Sequence, residues 1–443
     1  MQLKNKPAIT QILAAATCTL LSSPCHAVSA LSDNDISANV SMLYYSEAER
    51  VDVNKVLTQA EKNLTELDSV KIGFVYDTMT GASPNGRIRP INNATTNTST
   101  IPVTSASGFA YDVNSQGENT QGDNWLTEFT DTRVAFNGEW GRQIFSSIKS
   151  QIGVSYSTEN DYTSKGASAN LLWDVNQKRT TLNFGASAYD DEVSPKGGIP
   201  EGLAKLECSE AAGSDPNRVP EWISCNDKVT RFKPGDKKIF DYLLGLTQVW
   251  NRFTLFQLNY TRGVSTGYLT DPYKQISILE TLHDGEIQNT QEVAVLYESR
   301  PSERNRNSLY WKLVHNMNEN VMRFSYRYFW DDWGVKSHTL SLRYRFQFHP
   351  KHFLQPHIRY NRQSEADFFR ESIDKDDVKP KYATADHRLG KQNTLTLGLK
   401  YATDQGKRGE FGVRAELMKQ RYSSSDLPAM LAYIVQATMK FKF

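Results

Sequence analysis

Residues Pro428–Phe443 read PAMLAYIVQATMKFKF. Leu431, Tyr433, Val435, Ala437, Met439, Phe441 and Phe443 fall on one face of an extended chain. Ala432, Ile434, Gln436, Thr438, Lys440 and Lys442 fall on the other. Alternation with period 2 is the signature of a β-strand, because successive Cβ atoms point to opposite faces. The stretch is long enough to cross a bilayer, for which roughly 9–11 tilted residues suffice. An edge strand of a soluble sandwich has the same pattern, so the decision rests on whether the rest of the chain repeats it.

It does. Ala38, Val40, Met42 and Tyr44 alternate with polar neighbours, and Val70, Ile72, Phe74 and Tyr76 follow suit. Met322, Phe324, Tyr326, Tyr328 and Trp330 form another such face, as do Leu340 to Phe348, Leu354 to Tyr360, Leu395 to Tyr401 and Phe411 to Leu417. The pattern predicts about sixteen strands, an even number that puts both chain ends on one side of a barrel. Short turns are expected near Asn63, Asn137–Arg142, Asp174–Arg179, Asn251–Arg252, Asn316–Asn320, His349–His352 and Asp404. Between them fall four long polar breaks, near 80–126, 190–236, 270–290 and 364–392, which read as surface loops without a core-forming run. Short turns on one side and long loops on the other are expected of a closed antiparallel transmembrane β-barrel, with the turns periplasmic and the loops extracellular. Closure matters because lipid offers no partner to an open sheet edge.

Composition agrees. The chain has 443 residues, 39% of them hydrophobic, and a mean hydropathy of −0.56, far too polar for membrane helices. A barrel escapes such averages because every second residue faces the lumen. The 21 Tyr, 20 Phe and 8 Trp supply aromatic girdles. Residues 1–27 read as a cleaved secretory leader, with Lys4 and Lys6 before an apolar run and cleavage after Ala27 or Ala30. A polar lead-in, 28–36, then precedes the barrel at 37–443. Cys208 and Cys225 share one loop, and in an oxidised compartment they read as a disulfide. A metal pair is the competing reading, but no second CxxC or His cluster accompanies them.

The closing strand resembles the last strand of bacterial outer-membrane barrels. That resemblance implies an assembly signal at Tyr433, Phe441 and Phe443, read by the barrel-assembly machinery. Six further strings, DTMTGASPNG (Asp77–Gly86), YLTDPYK (Tyr268–Lys274), ESRPSER (Glu298–Arg304), YRYFWDDWGVKSHT (Tyr326–Thr339), RQSEADFF (Arg362–Phe369) and DHRLG (Asp386–Gly390), resemble the Domain of Unknown Function 3570 family of Gram-negative bacteria. The resemblance implies an outer-membrane barrel in contact with outer-membrane lipid and lipopolysaccharide. It also suggests a periplasmic partner protein belonging to a redox system, for which the residues themselves carry no sign.

The polar face is basic. Arg323, Arg327, Arg343, Arg345 and Arg359 crowd three adjacent strands, with Lys71, Arg133, Lys149, Lys312, Lys400, Arg414, Lys440 and Lys442 elsewhere on that face. Asp77, Asp241 and Glu416 stand against them. Arginines along one lumen wall focus a positive potential and favour anions. The expected function is a porin-like channel or transporter for small anionic solutes; a scaffold for a periplasmic redox system is the alternative. A barrel enzyme of lipase or protease type ranks third, with His338, Asp331–Asp332 and Asp386–His387 as the residues to inspect. No HExxH occurs, the glycine-rich string lacks the Lys and helix of a phosphate cradle, and no catalytic, cofactor or metal site is expected. A net charge of +1 gives no reason to expect a nucleic-acid partner.

Overall fold

The structure is a computed structural model that describes residues 36–48, 50–88, 125–226, 231–284, 287–404, 406 and 409–442. The leader and Phe443 lie outside the described residues. Sixteen strands close into one antiparallel barrel. Its first half comprises β1 (Ile36–Glu47), β2 (Val51–Asn63), β3 (Asp68–Pro84), β4 (Leu126–Phe145), β5 (Ile148–Thr158), β6 (Tyr162–Val175) and β7 (Thr180–Val193). The loop after β7 carries β8 (Ile199–Pro200), β9 (Lys205–Cys208), a short helix α1 (Glu210–Ser214) and β10 (Arg231–Phe232). The barrel resumes with β11 (Gly235–Asn251) and β12 (Thr254–Gly267), and the next loop holds β13 (Gln275–Asp284) and β14 (Ile287–Tyr297). Then come β15 (Glu303–Met317), β16 (Asn320–Asp331), β17 (Lys336–His349) and β18 (His352–Gln363). After β19 (Ser372–Asp374), in the last long loop, β20 (Gln392–Asp404), β21 (Glu410–Tyr422) and β22 (Met430–Lys442) complete the ring.

Closure occurs where the first and last strands meet. Ala38 lies opposite Phe441, Val40 opposite Met439 and Tyr44 opposite Val435, so the two apolar faces form one outer surface. That surface is exposed to a degree no soluble protein tolerates: Val154 is 59% exposed, Met42 54%, Tyr433 52% and Leu397 49%. The register carries the same parity round the wall, as in Phe324 opposite Leu342, Leu342 opposite Ile358 and Ile358 opposite Leu397. An apolar belt outside a closed, polar-lined ring is the architecture of an outer-membrane barrel. Both described ends, at Ile36 and Lys442, lie with the short turns, which places that rim in the periplasm and the long loops outside the cell.

Two expectations need correction. Asn137–Arg142 is not a turn: it is the middle of β4, with Trp140 facing out opposite Ile152, and the chain reverses after Phe145. Asn-Gly looks like a turn locally, but outward alternation continues through it and cross-strand pairing wins. The break at 270–290 is not irregular either. Most of it forms β13 and the start of β14, which join β9 and β19 in a four-stranded sheet. Its apolar side chains make a core of their own: Ile276, Ile278, Val293, Leu296 and Ile373 are completely buried, and Cys208, Trp222 and Cys225 pack against them. Cys208 and Cys225 are joined, with Cα atoms 5.9 Å apart. The described parts of the loops after β7, β12 and β18 therefore fold together into a small packed unit, the cap, at the outer mouth.

Candidate functional site

Three of the six strings singled out by resemblance converge where the cap is fastened, and a fourth supplies its rim contact. Tyr268–Lys274 enters the loop after β12, Glu298–Arg304 leaves it, and Asp386–Gly390 belongs to the loop after β18. Their charges meet out of water. Glu298 is fully buried, and Asp386, Asp271 and Lys274 are nearly so. Arg300 donates to Glu298 Oε2 at 3.0 Å and to Asp386 at 2.7 Å. Arg388 bridges Asp386 at 2.5 Å and Asp271 at 2.6 Å. Thr384 Oγ1 donates to Glu298, and the Asp271 amide donates to Glu298 Oε1 at 2.7 Å. Lys274 Nζ donates to the carbonyl of Pro84, and the Gln275 amide to that of Asn85 at 2.8 Å. Gly86 makes that last approach possible: its φ is +105° and a Cβ there would sit 2.2 Å from the Gln275 carbonyl.

The network ties nearly opposite walls of the barrel together. Asn85 stands on the β3–β4 rim, and Tyr273 reaches the β5–β6 rim, donating to Asp161 at 2.5 Å. Arg388 comes from the β18–β20 loop across the ring. Around the same rim Arg304 holds Asp331 at 2.5 Å and lies 4.3 Å over the Trp333 ring. Titration behaviour follows from burial and these charges. Burial pushes the Asp386 carboxyl up, but Arg388, Lys274 and Arg300 reverse this and hold it well below the ordinary range. Burial keeps the His387 imidazole neutral, its pKa lowered to about 3 against the pull of Asp386. At the β5–β6 rim, burial raises Asp161 to about 6 although Tyr273 donates to it, and burial together with Asp131 raises Glu159 to about 8.

Below the cap the lumen divides into two zones. In the outer zone the lining charges are matched: Asp77 takes Arg133 at 3.1 Å and Lys55 at 3.7 Å, Asp191 takes Lys237 at 3.6 Å, and Asp241 takes Arg306 at 3.4 Å. Most of these groups are buried. The inner zone differs. Arg323, Arg327, Arg343, Arg345 and Arg359 all occupy lumen-facing positions of β16, β17 and β18, as the sequence predicts. Arg323 stands directly opposite Arg343, and Arg345 lies one strand step away, opposite Val321. Arg345 lies 3.8 Å over the Phe353 ring and donates to Gln347, and Arg327 lies 5.6 Å over Tyr310. Among the described residues, Arg323, Arg343, Arg345 and Arg359 join no ion pair, and Arg343 Nε is buried without a hydrogen-bond partner. Of the acids that act on them, Glu416 is committed to His357 at 2.8 Å and Arg414 at 3.7 Å, and Glu410 to Lys400 at 2.8 Å.

A family model described as a protein of unknown function, DUF3570, matches residues 10–435. The chain belongs to this family. No functionally curated protein matches it. The DUF3570 barrel is similar in structure to the outer membrane protein opdK from Pseudomonas aeruginosa, with a TM-score of 0.41 and 10% identity over 93% of this chain and 100% of that one. It is similar to a bacterial polysaccharide outer membrane secretin, with a TM-score of 0.46 and 8% identity over 93% and 100%. It is also similar to OccK5 (OpdH) of P. aeruginosa, with a TM-score of 0.40 and 9% identity over 93% and 99%.

The residues inspected for catalysis in the DUF3570 barrel have other partners. Asp331 is bound to Arg304, and Asp332 accepts from the Asn305 amide at 2.9 Å. Asp386 belongs to the buried network, beside His387. On the lipid-facing wall His338 meets the Tyr326 hydroxyl at 2.8 Å and packs on Tyr328, with ring centroids 4.9 Å apart. Of the closing-strand residues, Tyr433 and Phe441 face outward and Lys440 lines the lumen opposite Glu410. The cap network escaped the sequence reading because each string looked like an isolated charged turn; the signal available was that their charges sum to near neutrality.

Proposed function

We propose that this protein is a porin-like conduit for small anionic solutes, with the inner arginines as its selective zone and the loop cap as its outer gate. The observation that carries the reading is Arg323 opposite Arg343 on neighbouring strands, with no carboxylate shared between them. Like charges facing each other across a strand pair are destabilising. A wall that keeps them unpaired attracts a mobile anion instead, and the low-dielectric surroundings of a barrel interior strengthen that attraction. Sixteen strands enclose a lumen wide enough for water and small solutes. The matched outer zone adds little net field, so selectivity belongs to the periplasmic half.

The test is planar-bilayer conductance under a salt gradient, on the wild type and on a variant carrying Arg323→Ala, Arg343→Ala and Arg345→Ala. The wild type is expected to prefer chloride over potassium, and the triple variant to lose most of that preference. Cation preference, or a reversal potential unmoved by the three substitutions, overturns the proposal.

A further inference from the structure

The outer surface of the barrel carries a second set of cations, unrelated to the lumen. On β17, β18 and β21 the outward positions at the extracellular end are Lys336, Arg362, Lys419 and Arg421, and Lys391 immediately precedes β20. All five are exposed. The register sets them in one band: His338 is opposite Arg362, Arg362 opposite Asn393, Asn393 opposite Arg421, and Leu395 opposite Lys419. Lys336 lies one step further out, opposite Trp330. Directly below runs the lipid-facing belt of Leu340, Tyr360, Leu395 and Leu417. With a rise of ~3.4 Å per residue and a tilt of ~40°, the eight residue steps from Leu354 to Arg362 span about 20 Å of height. The band therefore sits at the outer edge of the apolar belt, at headgroup level.

No carboxylate answers these charges. The outward positions of β17, β18, β20 and β21 hold no Asp or Glu. None of the five cations forms an ion pair with a described residue. Elsewhere on the wall, at the same end of the strands, acids share the face: Lys165 on β6 and Lys238 on β11 both stand opposite Asp190 on β7, and Glu192 on β7 stands opposite Asp236 on β11 one step further out. One arc of the barrel is thus left positive where the other also carries acids. Long basic side chains above an apolar belt extend their charged ends into the headgroup layer. The outer leaflet of an outer membrane is built of a phosphorylated glycolipid, lipopolysaccharide, and Arg grips phosphate in a two-pronged way that Lys supports as a point charge.

We infer that the arc formed by β17, β18, β20 and β21 is a docking surface for the phosphates of lipid A, with Lys336, Arg362, Lys391, Lys419 and Arg421 as their partners. The acyl chains lie along the belt of Leu340, Tyr360, Leu395 and Leu417. The surface works whether or not the lumen conducts, so it stands or falls independently of the proposed channel.

Native mass spectrometry of the full mature protein tests it, titrating bisphosphorylated lipid A, monophosphorylated lipid A and phosphatidylglycerol against three forms. These are the wild type, the variant Arg362→Gln/Lys419→Gln/Arg421→Gln, and the variant Lys165→Gln/Lys238→Gln. Bisphosphorylated lipid A is expected to bind the wild type most tightly and the first variant about tenfold more weakly, the sum of three modest exposed charge contacts. The Lys165/Lys238 variant is expected to bind like the wild type. Because these positions are exposed, all forms should keep the heat-modifiable gel mobility of a folded barrel. Should the triple variant fail that check, Arg421→Gln alone is expected to weaken binding about twofold. Equal binding by the Arg362/Lys419/Arg421 variant and the wild type overturns the inference. So does an equal loss on the opposite arc, or phosphatidylglycerol binding the wild type as tightly as lipid A.

Discussion

The cap and the inner lumen use the same side chains in opposite ways. In the cap, Arg300 and Arg388 are half-buried against the buried Glu298, Asp386 and Asp271, and both guanidinium groups have counter-charges within hydrogen-bonding reach. In the inner lumen, Arg323, Arg343 and Arg345 are half-buried and Arg359 is exposed, and none of the four joins an ion pair among the described residues. Buried guanidinium groups are tolerable only when paired, since an isolated buried charge costs several kcal/mol. Guanidinium groups on a wet wall need no such pairing and are left to act on whatever enters. Arginine in this chain is thus a fastener where acids meet it and, on the proposed function, a field source where none does.

The largest effect expected on that contrast comes from unpairing the fastener. Asp386→Ala removes the carboxylate that Arg300 and Arg388 share, leaving Arg300 with Glu298 and Arg388 with Asp271, and loss of one partner from a buried ion network costs up to roughly 3–5 kcal/mol. Limited proteolysis should then cut the outer loops while the barrel core stays intact. Resistance equal to the wild type would mean that the network does not hold the cap. Next in size is Cys208→Ser with Cys225→Ser, which releases a link spanning 17 positions. Loss of a loop of that length costs ~3 kcal/mol. Faster amide exchange confined to the cap sheet is expected, and exchange spreading into barrel strands would contradict a separately packed unit.

The cap should also respond to pH, from both sides. His387 is neutral in the fold, with its pKa lowered to about 3. Its contribution is complete above the ordinary imidazole pKa and is lost as pH falls from about 6.5 toward 3. Asp161 and Glu159 are raised to about 6 and about 8. Their contribution is complete below the ordinary carboxylate range and is lost as pH rises through those values. Cap protection measured by amide exchange should therefore peak at about pH 4, where the gain from the two carboxyls on acidification is complete, and decline at both pH 3 and pH 9. A monotonic profile would show that one of the two sites is not coupled to the cap. The smallest effect is expected in the lumen itself: Glu416→Gln removes the acid held by His357 and Arg414, and should raise anion preference slightly without altering cap protection.

Much of the barrel was readable before the structure because its determinants are local. Period-2 alternation, as in Met322 to Trp330, fixes which face of β16 meets lipid and hence that Arg323 and Arg327 line the lumen. The strand count and the pairing of the Ala38–Tyr44 strand with the last one follow from the same rule. Local cues also misled: Asn137–Gly138 carries a turn dipeptide, yet β3 and β5 on either side hold it extended. The cap was not readable because its contacts join distant segments. β13 runs parallel to β19, Ser277 beside Ser372, and β14 pairs with β9, Ala294 beside Cys208. The unbroken apolar run Val293–Leu296 was the available clue to a strand buried on both faces. In the candidate site the basic wall was legible as a list of charges, whereas the absence of partners for Arg323 and Arg343 was not, since pairing depends on where Glu416 and the loop acids end up.

The account turns on the inner arginines setting the charge preference of the pore once the cap is out of the way. Its most direct test is the reversal potential in a planar bilayer under a tenfold KCl gradient, as a gradient of that size separates the two signs cleanly, measured for the wild type and for Asp386→Ala. The loosened variant is expected to conduct at least as well as the wild type and with the same chloride preference. A preference for potassium in either form, or no conductance in both, would contradict it.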